Sequence, residues 1–316
     1  MANSLTDNTM KGRKIWSYPW SMTEGWLIMI GLVVSGVLIQ STVGAVPWSL
    51  FSWPANIISV GVFSVLAIML YIMRRTSYFC RWISTSTAAV SALSVSAVLT
   101  IVMGLIRQEE RGTWLSGILS FWPFVLSYLF MAIILSQICL QRISHFHWRR
   151  DIPFLLNHLG LLIVLLTATL GNADMRRVKM ITEKGQAEWR VLNEKGEVEE
   201  LPIAIELDRF IMEEYPADSI SAEGQTGSRA PKRFASEVHV YTKSGVSTTA
   251  TIDVNKPFEI EGWKIYQYGY DTQMGAMSNI SILELVRDPW LTWVYIGIWM
   301  MLLGAWSMFI IGMKKR

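Results

Sequence analysis

Six stretches of this chain are long and apolar enough to cross a bilayer, and they constrain its fold more than anything else in it. They cover about residues 26–45, 56–73, 83–106, 118–140, 153–171 and 290–312. A run of about 18 apolar residues or more reaches through the hydrocarbon core. No water meets the backbone there, so each run closes its own hydrogen bonds as a helix. One polar block, 172–288, separates the fifth run from the sixth. With 52% hydrophobic residues and a mean hydropathy of +0.33, grouped in blocks, the chain is excluded from the ordinary soluble class.

The basic residues of the short loops set the expected orientation, because insertion reads Lys and Arg near span ends. One side carries Lys11, Arg13, Lys14, Arg74, Arg75, Arg81, Arg142, Arg149, Arg150, Lys314, Lys315 and Arg316; the other carries Arg107 and Arg111. Both termini are therefore expected in the cytoplasm and the polar block outside it. That block holds 14 basic and 20 acidic residues, which fits a long translocated domain. The net charge of +3 averages these two faces and says little about partners. The first apolar run starts at Trp26, too far in and too long for a cleaved signal peptide. Trp16, Trp20, Trp26, Trp48, Trp53, Trp82, Trp114, Trp148 and Trp290 lie near span ends and read as interfacial anchors.

The expected fold is a polytopic α-helical membrane protein of about six transmembrane helices with an external all-β, sandwich-like domain. Residues 1–25 form a cytoplasmic segment ending in Ser21-Met22-Thr23-Glu24, a capping-box spacing. A hairpin of spans follows over 26–75 and a three-helix region over 76–171. The β domain takes 172–288, and 289–316 hold the last span and a basic tail. The third span is rich in Ser, Thr, Ala and Gly, which places it at a closely packed bundle centre. In the β domain, turn signals at Lys195-Gly196, Ser244-Gly245 and Glu261-Gly262 separate short alternating runs. Residues 216–233 are too polar to pack and read as a loop.

Few residues carry chemistry. His158 lies inside the fifth apolar run, and an ionisable group at that depth is a functional candidate by default. It is read either as a ligand to a metal or as interhelical glue bonded to Gln137, Ser136 or a neighbouring helix. Gln137, near the end of the fourth span, sits at nearly the same depth. Arg107-Gln108-Glu109-Glu110-Arg111 reads as a solvated cap, and His145-Phe146-His147 lacks the further ligands a metal site needs. Cys80 and Cys139 are the only cysteines, with no CxxC, which excludes a thiol oxidoreductase or a c-type cytochrome. The external domain has one histidine, His239, no cysteine, and no nucleophile and base at a recognisable spacing. Tyr266, Tyr268 and Tyr270 recur at every second residue and so share one strand face, as core or as a docking surface.

The order of motifs resembles the ResB-like (CcsB) family of cytochrome c biogenesis proteins. Cys139-Leu140-Gln141-Arg142 ends a span, and Asn157-His158-Leu159-Gly160-Leu161-Leu162 opens the next. An external domain follows with Val254-Asn255-Lys256-Pro257-Phe258 and Gly262-Trp263-Lys264-Ile265-Tyr266-Gln267. Leu285-Val286-Arg287-Asp288-Pro289 then leads to Tyr295-Ile296-Gly297. The resemblance covers about 118–312. It departs at the front, where the family has three spans before its domain and this chain has five.

The resemblance implies a non-catalytic or accessory subunit of the bacterial inner-membrane complex that moves haem outward and joins it to the CxxCH of apocytochrome c. His158 matches the family's intramembrane histidine and becomes the candidate axial ligand of haem b, with Gln137 the candidate to accept from its other ring nitrogen and orient it. Implied partners are a CcsA/ResC-type Trp-rich membrane haem-handling protein, apocytochrome c and a thioredoxin-like thiol reductant. Nucleic acid is not among them. Tyr266 and Tyr268 become docking candidates for the periplasmic side. Two rival readings remain, a structural subunit of a respiratory or quinol complex and a stand-alone haem transporter. The charge asymmetry makes a direct prediction about topology. A reporter active only outside the cytoplasm should work when fused after residue 200 and fail after residue 78 or 316, and activity at 78 overturns the six-span topology.

Overall fold

A computed structural model describes residues 14–108, 114–214 and 231–313. The basic tails, residues 109–111 of the charged cluster and residues 216–230 of the polar loop lie outside the described residues. The chain divides into two compact units with boundaries at Ala173/Asp174 and Pro289/Trp290.

The first unit is a bundle of six long apolar helices: α1 (Met22–Val43), α2 (Ala55–Met73), α4 (Ser86–Leu105), α5 (Trp122–Ser144), α6 (Trp148–Gly171) and α7 (Leu291–Met313), with a short α3 at Tyr78–Trp82. This is a membrane protein by the length and apolarity of those helices. The capping box is present: Ser21 Oγ accepts from the α1 backbone while the Glu24 carboxylate accepts from Ser21 N at 2.6 Å.

α5 is the hub, packing against α1, α2, α4 and α6. α1 and α2, consecutive in sequence, rest mainly on α5. The serine- and alanine-rich α4 therefore packs closely without being central: it meets α1 where a Cβ on Gly25 would come within 2.7 Å of Ser91 Oγ. Trp82 is also not the interfacial anchor its position suggests. It is 2% exposed, packed among Met29, Ile83 and Ala88.

The most extensive helix contact joins α6 to α7, far apart in sequence. Glycines make it. A Cβ on Gly160 would sit 2.7 Å from Gly297 O, and one on Gly304 would sit 2.5 Å from Asn157 N. Close backbone approach of this kind is how helices gain dispersion energy where lipid removes any hydrophobic drive. Asn157 Nδ2 adds an interhelical hydrogen bond to Met301 O at 3.2 Å.

The second unit is one antiparallel eight-stranded sheet, in the order β5-β4-β3-β2-β1-β8-β7-β6. Its strands are β1 (Arg176–Glu183), β2 (Ala187–Leu192), β3 (Val198–Glu214), β4 (Pro231–Thr242), β5 (Ser247–Asp253), β6 (Phe258–Ile260), β7 (Trp263–Tyr270) and β8 (Ile280–Arg287). Alternate residues such as Val178, Met180, Ile203, Ile205, Ile265 and Leu283 form the core. The sandwich is built by a single sheet folding over that core, so that β5 meets β6 and β7. A buried polar cluster spans the gap: Ser236 Oγ on β4 donates to Gln267 Oε1 on β7 at 2.6 Å, and Gln267 Nε2 donates to Ser281 Oγ at 2.9 Å. Residues 231–233 of the polar run belong to β4. The turn at Glu261-Gly262 has φ of 49° and 79°, the double left-handed pair of a two-residue hairpin.

The glycine seam predicts that Gly304→Leu, whose side chain meets only backbone, destabilises the α6–α7 pair by about 1–3 kcal/mol or more. Gly61→Leu, with nothing within 4 Å of its Cβ, should be tolerated. Thermal unfolding of the detergent-solubilised protein compares them, and equal melting would show that the seam is not close-packed.

Candidate functional site

His158 lies ten residues into α6, about 15 Å from Trp148 at 1.5 Å per residue. Its Nδ1 is 3.0 Å from Phe154 O, one turn earlier. A carbonyl oxygen can only accept, so Nδ1 carries the proton and the lone pair falls on Nε2. Nε2 has no hydrogen-bond partner among the described residues. The ring stacks on Phe154, with centroids 3.8 Å apart, and the Arg142 guanidinium lies 4.7 Å from the centroid of the same phenyl ring. Imidazole orientation is thus fixed by its own helix, and the reading of His158 as interhelical glue finds no partner helix here.

The ring lines a cavity of about 580 Å³, within the range of small-molecule sites. α4 and α6 both rest on α5 and leave this gap between them at the end carrying the basic loops. Ala89, Ile138 and Phe154 supply apolar wall; Arg74, Arg142 and Arg150 supply charge. Asp151, fully buried, takes Arg142 at 3.2 Å, Arg150 at 2.9 Å and the backbone N of His147 at 2.8 Å. Two guanidinium groups therefore share one carboxylate. Arg74 stands apart with its guanidinium over Tyr71, 4.9 Å from the ring centroid. Its buried Nη1 has no hydrogen-bond partner, nor does the buried Ser84 Oγ that lines the same cavity. In the sequence, Arg74 and Arg150 stand out only as topology signals.

Gln137 is fully buried but turned away from this cavity: its Nε2 donates to Ala67 O of α2 at 2.9 Å, and its Oε1 has no partner. The hydrogen bond expected between Gln137 and His158 is replaced by the one to Phe154 O, because an i−4 carbonyl reaches the ring without any second helix. His145 lines the cavity with Nδ1 2.8 Å from Ser144 Oγ, and His147 Nδ1 is 2.8 Å from His145 O. Cys80 and Cys139 are buried free thiols. Among the described residues no three metal-ligating side chains gather.

In the β unit, Trp263, Ile265 and Gln267 point inward, leaving Tyr266 half-buried and Tyr268 exposed on the outer face. Lys179 Nζ lies 3.8 Å from the Tyr268 ring centroid. A register shift between Gln267 and Gly269 breaks the alternation, and Tyr270 stacks on Phe210 at 4.9 Å. His239 stacks on Tyr241 at 4.6 Å and meets Ser247 Oγ at 2.7 Å.

Residues 148–281 match the ResB-like family, a narrower stretch than the motifs span but one that contains His158 and most of the β unit. No curated protein matches the chain. Among solved structures, "Cytochrome c Heme Lyase CcmF" aligns over 92% of this chain and 46% of its own, at 14% identity and a TM-score of 0.36. This chain thus spans about half the length of that one.

The site geometry reassigns Gln137. Gln137→Leu should cost about 1 kcal/mol or less, since it loses one hydrogen bond and removes an orphaned acceptor. Ligand binding at His158, followed by absorbance, should be unchanged per folded molecule; a loss there would restore Gln137 as its partner.

Proposed function

We propose that this chain, ResB-like over residues 148–281, is a membrane subunit of a bacterial cytochrome c maturation complex that holds haem at His158 and scaffolds its attachment to apocytochrome c. The observation that carries the reading is the contact of His158 Nδ1 with Phe154 O at 3.0 Å. With Nδ1–H bonded to Phe154 O, the free lone pair is on Nε2, and a neutral imidazole in that state ligates iron. The residues present fit the group: an oriented imidazole, an apolar wall and cationic side chains line one cavity.

Haem b is the cargo, and its covalent joining to the CxxCH thiols is the chemistry of the complex. This chain's residues orient and bind. Phe154 fixes the imidazole from one face and by its carbonyl, and Ala89 and Ile138 supply an apolar stretch of the wall. One histidine supplies one axial ligand, so the other comes from a partner subunit of the Trp-rich CcsA/ResC type or stays vacant. The basic end lies in the cytoplasm and the β unit in the periplasm, where Tyr266 and Tyr268 offer an outward aromatic surface to the partner, to apocytochrome c or to a thioredoxin-like reductant.

His158→Ala should lower haem retained per folded complex by about tenfold or more, together with cytochrome c maturation, and added imidazole should partly restore both. A haem spectrum unchanged in His158→Ala at wild-type protein levels ends this assignment. A structural role alone would instead reduce assembly and leave haem per complex constant.

A further inference from the structure

We infer that the cavity beside His158 contains an acid-binding subsite, in which Arg74 and Ser84 take the carboxylate oxygens of a bound porphyrin, so that its propionate edge points toward the basic end. The inference rests on the haem reading above and adds an orientation to it. A buried donor without an acceptor costs free energy, about 1–3 kcal/mol and more for a charged group. Arg74 and Ser84, each with one such atom (Nη1 and Oγ), both line this one cavity. Arg142 and Arg150 are paired with Asp151, whereas Arg74 has no carboxylate partner among the described residues and keeps a buried donor unused. The Tyr71 ring beneath its guanidinium holds it in place.

Ala89, Ile138 and Phe154 give the cavity an apolar stretch of wall beside Ser86, Gln141 and His145. A ligand matched to this lining is a flat apolar body with acidic groups along one edge and a Lewis-acidic centre for Nε2. Haem has that form, with two propionates side by side. A guanidinium is suited to such groups because its planar fork matches carboxylate geometry. An anionic phospholipid offers similar oxygens through its phosphate, but it has no centre for His158 and is insensitive to the porphyrin's acid groups.

The test uses the full chain in phosphatidylcholine nanodiscs, titrated with haem and with haem dimethyl ester and followed by absorbance. The wild-type chain should bind haem about 10- to 100-fold more tightly than the diester, the range expected for a charge-assisted hydrogen bond. Arg74→Gln should bring haem down to the diester's affinity and leave diester binding and its spectrum unchanged, which also shows that the variant is folded. Ser84→Ala should give a smaller loss in the same direction. If the wild-type chain binds both porphyrins equally while His158→Ala still alters the spectrum, the acid subsite fails and the haem reading stands. If Arg74→Gln reduces retained phosphatidylglycerol without changing the ratio of haem to diester affinity, the site belongs to lipid and the inference fails. If the wild-type chain binds neither porphyrin, the haem reading fails as well.

Discussion

The close contact of α6 with α7 is the interaction on which the arrangement depends. These helices flank the whole β unit in sequence, and the pairing of β1 with β8, Arg176 opposite Arg287, brings together the chain ends that lead into them. Glycines let the backbones approach until Gly160 and Gly297 face each other's carbonyls, and Trp290 packs against Gly171 where the chain leaves and re-enters the bundle. Without water there is no hydrophobic gain from helix pairing, so surface fit and the Asn157–Met301 hydrogen bond carry it. α6 is thereby held on one side by α7 and on another by α5.

Polar side chains inside such a bundle follow one rule, that an unpaired group in hydrocarbon is expensive. Thr167 and Ser127 meet it locally, each donating to a carbonyl one turn back at 2.8 and 2.7 Å. Gln137 meets it by reaching across to α2, at the cost of an orphaned oxygen. His158 meets half of it. One nitrogen is satisfied within α6 and the other is left as an acceptor, which differs from a group serving only to join helices.

Much of this was legible in the sequence, for physical reasons that differ by element. The six spans were readable because apolar length is a property of the chain alone. The turns at Gly196, Gly245 and Gly262 were readable because positive φ selects glycine. What sequence could not supply was rotation about a helix axis. Gln137 and His158 share a depth, yet depth says nothing of azimuth, and the two face different neighbours. Trp82 looked interfacial because the break between α3 and α4 that buries it leaves no strong mark in composition. Tyr270 left the face of Tyr266 and Tyr268 because a bulge shifts the period by one. Arg74, a topology signal in the sequence, shares a cavity with residues of α4, α5 and α6 that only the fold brings to it.

The adjacency of Asn157 and His158 shows how the helix serves both purposes. Successive residues on an α-helix are turned by about 100°, so one can face the glycine seam while the next faces the cavity. Asn157 belongs to α7 through Met301, and Gly160, three residues on, continues that side. Phe154, four residues before His158, shares its face and supplies both the stacked ring and the accepting carbonyl. The seam therefore sets where His158 stands, and the helix's own turn sets how it is presented. A change at Gly160 would move the imidazole as a rigid body with α6, whereas a change at Phe154 would rotate it in place, and these are separable perturbations of one side chain.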